Sequence, residues 1–109
     1  MKERNLYISL FSLKNSNKFR VTKEEEKFAD KLTQRRRMEY LSSRGYLRLF
    51  LSEILNIPPL KIPLFSPPGV PPKLPNGFGY ISLSHCKSGF LVGWSTFPIG
   101  VDKIGRAHV

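Results

Sequence analysis

Cysteine and acidic residues are the scarce components of this chain. Cys86 is the single cysteine among 109 residues. It excludes an internal disulfide framework and fits a reducing compartment, so a cytoplasmic location is expected. It has no metal-ligand spacing around it, which argues against zinc. Eight Asp and Glu stand against eighteen Lys and Arg, a formal net charge of +10. Such an excess points to an anionic partner: nucleic acid, a phosphorylated metabolite or an acidic protein. No apolar run approaches the roughly 20 residues that span a bilayer, so no membrane association is expected. Glycine loops of the Walker and dinucleotide types are missing, and so is a G-x-S-x-G nucleophile elbow. Apolar residues still make up 40% and charged residues 24%, an ordinary balance for a globular chain.

What is present divides into four stretches. Lys2 and Arg4 ahead of Leu6–Leu13 have a superficial likeness to a signal peptide. The apolar segment is short, Glu3 interrupts the basic flank and no small-x-small site follows. Tyr7, Ile8 and Phe11 favour an opening β-strand instead. Thr22 followed by Glu24, Glu25 and Glu26 reads as a helix start, a hydroxyl cap with acids at the positive end of the dipole. A longer helix is expected over Lys31–Asn56. Its apolar stripe is Tyr40, Leu47, Leu51, Ile54 and Leu55, with Gly45 marking a close contact and Asn56 before Pro58-Pro59 as the stop. Eight of the nine prolines lie between Pro58 and Pro75. They form either a polyproline ligand, through Pro68-Gly69-Val70-Pro71, or a structured connector. The connector is the better reading because strands follow at once. These are Gly79–Ser84, Phe90–Ser95 and Ile99–Asp102, a meander with turns at Lys87-Ser88-Gly89 and Thr96-Phe97-Pro98.

Few residues offer chemistry. Ser84 and His85 are expected where the first meander strand ends, and Asp102 follows His85 by 17 residues at the end of the third. His with Ser suits a phosphate, and Asp suits a divalent metal; a turn residue and a strand-end cap are the bland alternatives. A Ser-His-Asp triad is set aside, because neighbours on a strand point to opposite faces. The basic cluster is Lys31, Arg35, Arg36, Arg37 and Arg44. On a helix, Arg37, Arg44 and Arg48 share a side that could bind phosphate oxygens bidentately, or simply be a solvated surface. Arginine-rich helices also bind phosphate backbones, so a small basic RNA- or nucleic-acid-binding protein is the alternative class, although no module signature of that kind is present.

Taken together, Ser82-Leu83-Ser84-His85 and Ile99-Gly100-Val101-Asp102 resemble the hallmark of the Sfp-type 4′-phosphopantetheinyl transferases. The order Ser-Pro-Pro-Gly, Ser-Leu-Ser-His-Cys, Val-Gly-Trp-Ser, Ile-Gly-Val-Asp is especially similar to cyanobacterial members, over roughly residues 31–102. The resemblance implies an α+β fold: the N-terminal half of a pseudosymmetric two-lobed enzyme, with a helix packed on a small, mainly antiparallel sheet. It implies transfer of 4′-phosphopantetheine from coenzyme A to a serine of an apo acyl or peptidyl carrier protein, with Mg²⁺. Family coenzyme A contacts match Arg44, Ser84 and His85, and the Mg²⁺ ligand matches Asp102. No other catalytic residue carries over. Full-length enzymes of this kind are expected to be monomeric and to need no nucleic acid.

Two departures stand out. Where the family often has Gly-Lys-Pro, this chain has Gly69-Val70-Pro71, and Lys73 is the nearest substitute for that phosphate contact. Two residues after Asp102, where a second acidic ligand belongs, stands Ile104. The tail Ile104–Val109 is what the DNA ATCGGAAGAGCACACGTC encodes, a stretch of a common sequencing adapter. Residues 1–102 are therefore expected to be a truncated N-terminal lobe and residues 103–109 a non-native tail. Without Lys103 and Arg106, 16 cations face 8 acids over residues 1–102, and the excess persists. Such a lobe is expected to be inactive alone and to expose apolar faces.

Overall fold

The computed structural model describes residues 5–12, 20–86 and 89–98. The fold is α+β, with helices packed on a three-stranded antiparallel sheet. Strand β1 spans Leu6–Ser12, helix α1 Lys23–Ala29, helix α2 Gln34–Leu55, strand β2 Tyr80–Cys86 and strand β3 Gly89–Ser95.

Local chemistry explains the helix boundaries. The Thr22 hydroxyl accepts from the Glu25 amide at 3.1 Å, and a Glu25 carboxylate oxygen accepts from the Thr22 amide at 2.9 Å. This reciprocal capping box starts α1 where the sequence places a helix start. Thr33 caps α2 through the Arg36 amide, so the second helix begins three residues later than Lys31. It ends as expected at Asn56, whose left-handed backbone at φ 61° turns the chain out while its amide still bonds the Ser52 carbonyl at 2.9 Å. A single 3-10 turn at Pro59–Lys61 follows.

The proline-rich segment is a structured connector. Phe65 and Lys73 exchange backbone hydrogen bonds at 2.9 Å each, closing the intervening loop. Ile62, Ser66 and Pro72 are buried beneath it. Near its end, Gly79 adopts φ +95°, and a side chain there would run into the Trp94 indole. That conformation and that proximity both require glycine.

The sheet order is β1-β3-β2. β3 pairs along its whole length with β1 on one side and β2 on the other, Val92 standing opposite Ser9 and Leu83. The expected meander placed 99–102 beside β3; that edge is held by β1, and 99–102 lie outside the described residues. A second correction concerns His85. β2 runs on to Cys86, so His85 lies inside the strand, opposite Phe90, rather than at its end. Pairing continues to Cys86 opposite Gly89, two residues beyond the expected strand end at Ser84.

Strand alternation sorts the side chains onto two faces. Phe90, Val92 and Trp94, with Ile81, Leu83 and His85, face α2. The core is Leu47, Leu51, Ile62, Val92 and Trp94, with Ile54, Leu55, Ile81 and Leu83 packed around it. The expected stripe on α2 is therefore the core-facing one. The opposite sheet face carries Leu6, Ile8 and Leu10, which are 42%, 41% and 63% exposed. No helix of the described residues is long and apolar enough to cross a membrane.

Candidate functional site

Two arginines one turn apart on α2 are buried, Arg44 at 6% and Arg48 at 3% exposure. Four residues are just over one helical turn, so both fall in line with Tyr40, Leu47 and Leu51 on the core side. Arg37, Arg44 and Arg48 do not form one exposed face, phosphate-binding or solvated, because Arg44 and Arg48 are buried. Arg37 alone stays outside, 3.5 Å from Asp30.

Arg48 is neutralised. Its Nε lies 2.9 Å and 3.2 Å from the two Glu25 carboxylate oxygens, and one Nη donates to Glu25 at 3.0 Å. The other Nη donates to the carbonyls of Pro59 and Ile62 at 3.0 Å each. Glu25 also accepts a short hydrogen bond from the Ser66 hydroxyl. Burial pushes the Glu25 carboxyl up, but the hydrogen bonds from Arg48, Ser66 and the Thr22 amide outweigh it and hold the pKa below its usual value. The result is a closed polar knot joining α1, α2 and the connector.

Arg44 is anchored differently. Its Nε donates to the Ser66 carbonyl at 3.3 Å, one Nη to the Ser43 hydroxyl at 3.2 Å and the other to the Pro67 carbonyl at 3.3 Å. The guanidinium lies 4.8 Å from the centre of the Tyr40 ring, a cation–π distance. Burial lowers its pKa, with Tyr40 and Glu25 acting in the other direction. Among the described residues no carboxylate binds it. A guanidinium has five N–H groups; three are used among the described residues, leaving one on each terminal nitrogen.

Arg44 lines a cleft of about 150 Å³ between α2, the Pro68-Gly69 turn and Phe90. Gly69 sits at φ +86° with open space where a side chain would begin, so the turn leaves the cleft mouth clear. Tyr40 forms part of the floor. Its hydroxyl donates to the Ser66 carbonyl at 2.7 Å, and burial raises its pKa. Glu39, the one acid on the rim, pairs with Arg35 at 3.6 Å.

The other expected site residues distribute unevenly. His85 is exposed on the α2 side of the sheet, edge-on to Phe90 with ring centres 5.0 Å apart. It therefore flanks the cleft through Phe90. Ser84 alternates to the opposite face, opposite Leu91. Lys73 lines a separate depression with Tyr80 and Ile81, at the start of β2 and away from His85. Asp102 lies outside the described residues. Among those described, no three His, Cys, Asp or Glu gather as a metal site.

Sequence reasoning missed Glu25 as the partner of Arg48 and Tyr40 and Phe90 as lining residues of the cleft, and it left Arg36 undistinguished within the basic cluster. One signal for the helix residues was available: Arg36, Tyr40 and Arg44 recur every four residues.

The class these features define is an α+β domain with a cationic cleft anchored on a buried arginine. Comparison with family models, curated proteins and solved structures finds no match.

Proposed function

We propose that the chain is the coenzyme A-binding half of a 4′-phosphopantetheinyl transferase. Within it Arg44 and His85 hold the phosphates of coenzyme A. Asp102 is the residue this reading assigns to Mg²⁺, and an acidic acyl or peptidyl carrier protein is the acceptor. The observation that supports the reading best is the convergence at one cleft. Arg44 from α2, Gly69 from the connector and Phe90 beside His85 are far apart in sequence, and the resemblance assigns all three segments to one ligand. The chemistry agrees. Coenzyme A carries several phosphate charges, and an arginine with two unused N–H groups in a partly desolvated cleft binds phosphate better than one in water. The surplus of exposed cations suits an acidic protein partner electrostatically. The two-lobed architecture, the cytoplasmic location and the roles of Ser84 and Lys73 belong to the same proposal. Of these, Lys73 has the least support, because it lines a different depression.

The test is calorimetric titration of the chain with coenzyme A and with a generic RNA oligonucleotide at two salt concentrations. Saturable binding of coenzyme A is expected, weakened on Arg44→Ala and on His85→Ala. RNA bound more tightly than coenzyme A, with affinity falling steeply as salt rises, would mark a phosphate-backbone binder and end the transferase reading.

A further inference from the structure

The donor inventory of the cleft leads to a residue that the resemblance does not assign. The Tyr40 hydroxyl is committed to the Ser66 carbonyl and the Ser43 hydroxyl to the Tyr40 carbonyl. Arg44 retains two N–H groups. Arg36 also lines the cleft, two turns earlier on the same helix, and is exposed. Its guanidinium has no hydrogen-bond or ion-pair partner among the described residues, whereas its neighbours are both engaged, Arg35 with Glu39 and Arg37 with Asp30. The one acid on the rim is already paired. The cleft therefore holds a net positive charge with unspent donors on two sides, in a space worth a few water molecules.

We propose that Arg36 is a second phosphate ligand of this cleft, closing over a phosphate group that Arg44 receives from below. The two arginines divide the work. Arg44 is fixed by three hydrogen bonds and sets the direction of approach. Arg36 is free, carries a full charge to the mouth and pairs with the oxygens that Arg44 cannot reach. The ligand class is a phosphate or pyrophosphate group on a small molecule. The inference rests on the coenzyme A reading for the identity of that molecule, while the phosphate site is tested apart from it.

The experiment titrates the wild-type chain, Arg36→Gln and Arg37→Gln with inorganic pyrophosphate and with coenzyme A. Arg37→Gln is the control, a neighbouring charge that does not line the cleft. Arg36 is exposed, so unchanged thermal melts are expected for its variant. Arg36→Gln is expected to weaken pyrophosphate binding by about ten- to one-hundred-fold, as loss of a charge-assisted contact should, and Arg37→Gln by less than about two-fold. Amide shifts on pyrophosphate addition are expected to centre on Tyr40, Gly69 and Phe90. Equal weakening by the two variants, or no pyrophosphate binding at all, overturns the proposal. Coenzyme A binding that ignores Arg36→Gln also overturns it and leaves the transferase reading intact. Pyrophosphate binding that depends on Arg36 in a chain that refuses coenzyme A upholds the site and removes the transferase reading.

Discussion

Arg44 and Arg48 sit one turn apart on the same side of α2, both buried, and their surroundings are opposite. Arg48 has a carboxylate partner that is itself buried, and four of its five N–H groups are spent on Glu25, Pro59 and Ile62. Arg44 has carbonyls, a hydroxyl and an aromatic face, all neutral, and two N–H groups left over. A buried cation is costly unless its charge is met. At Arg48 the protein meets it internally, and the outcome is a joint between three segments. At Arg44 no carboxylate among the described residues meets it, and the guanidinium lines an open cleft. The same residue type at the same depth is thus neutralised inside the protein in one case and left without a carboxylate partner among the described residues in the other.

The largest expected effect breaks the first half of this comparison. Arg48→Met leaves Glu25 buried without its cation and should cost about 3–5 kcal/mol in chemical denaturation. Arg44→Met removes a cation that has no counter-ion, and the Ser66 carbonyl keeps its bond from Tyr40. Its cost should stay below about 2 kcal/mol. Equal losses in the two variants would mean that the arginines are not different in kind.

The pH dependence sharpens the same contrast. Glu25 is held below its usual pKa by bonds that only its carboxylate form accepts from Arg48. In the unfolded chain it titrates as an ordinary glutamate. Its contribution to stability is therefore fully present above the ordinary carboxylate range and is lost as pH falls through the lower folded value, with each unit of difference worth about 1.4 kcal/mol. Melting temperatures followed from neutral pH into acid should fall less steeply in Glu25→Gln than in wild type. Parallel curves would remove Glu25 from the acid response.

How far this contrast could be read in advance follows from the range of each interaction. The start of α1 and the end of α2 were legible because their determinants are local: the Thr22–Glu25 box and Asn56 ahead of two prolines. The α+β class was legible through periodicity and the alternation of Ile81 and Leu83. The place of β1 beside β3 was not, since nothing in Leu6–Ser12 specifies a partner 77 to 89 residues away. His85 was placed at a strand end, but the strand runs two residues further than Ser84. Arg48 was read as a surface cation, although its spacing from Tyr40, Leu47 and Leu51 put it in the buried stripe. The acid that makes its burial tolerable lies 23 residues earlier, on another helix. Of the cleft, Arg36 and Arg44 stood in the basic cluster and His85 in the candidate phosphate pair, whereas their grouping with Tyr40, Gly69 and Phe90 needed the fold.

The smallest effect separates the two arginines most cleanly. The Thr22 hydroxyl caps the Glu25 amide, and Glu25 returns the bond to the Thr22 amide with the same carboxylate oxygen that Arg48 Nε approaches at 2.9 Å. Thr22→Ala removes the hydroxyl and leaves the carboxylate in place. It should cost about 1 kcal/mol, the usual worth of an N-cap. Because Glu25 lies in the first turn of α1, the loss falls on the joint around Arg48. Arg44 is held by Ser43, Ser66 and Pro67, and none of these touches Thr22. Thr22→Ala should therefore lower the denaturation midpoint while leaving pyrophosphate affinity within about two-fold of wild type, a spread of less than half a kcal/mol. A parallel loss of affinity would show that the capping box, the Glu25–Arg48 pair and the Arg44 cleft form one cooperative unit, and the division between a structural and a binding arginine would fall.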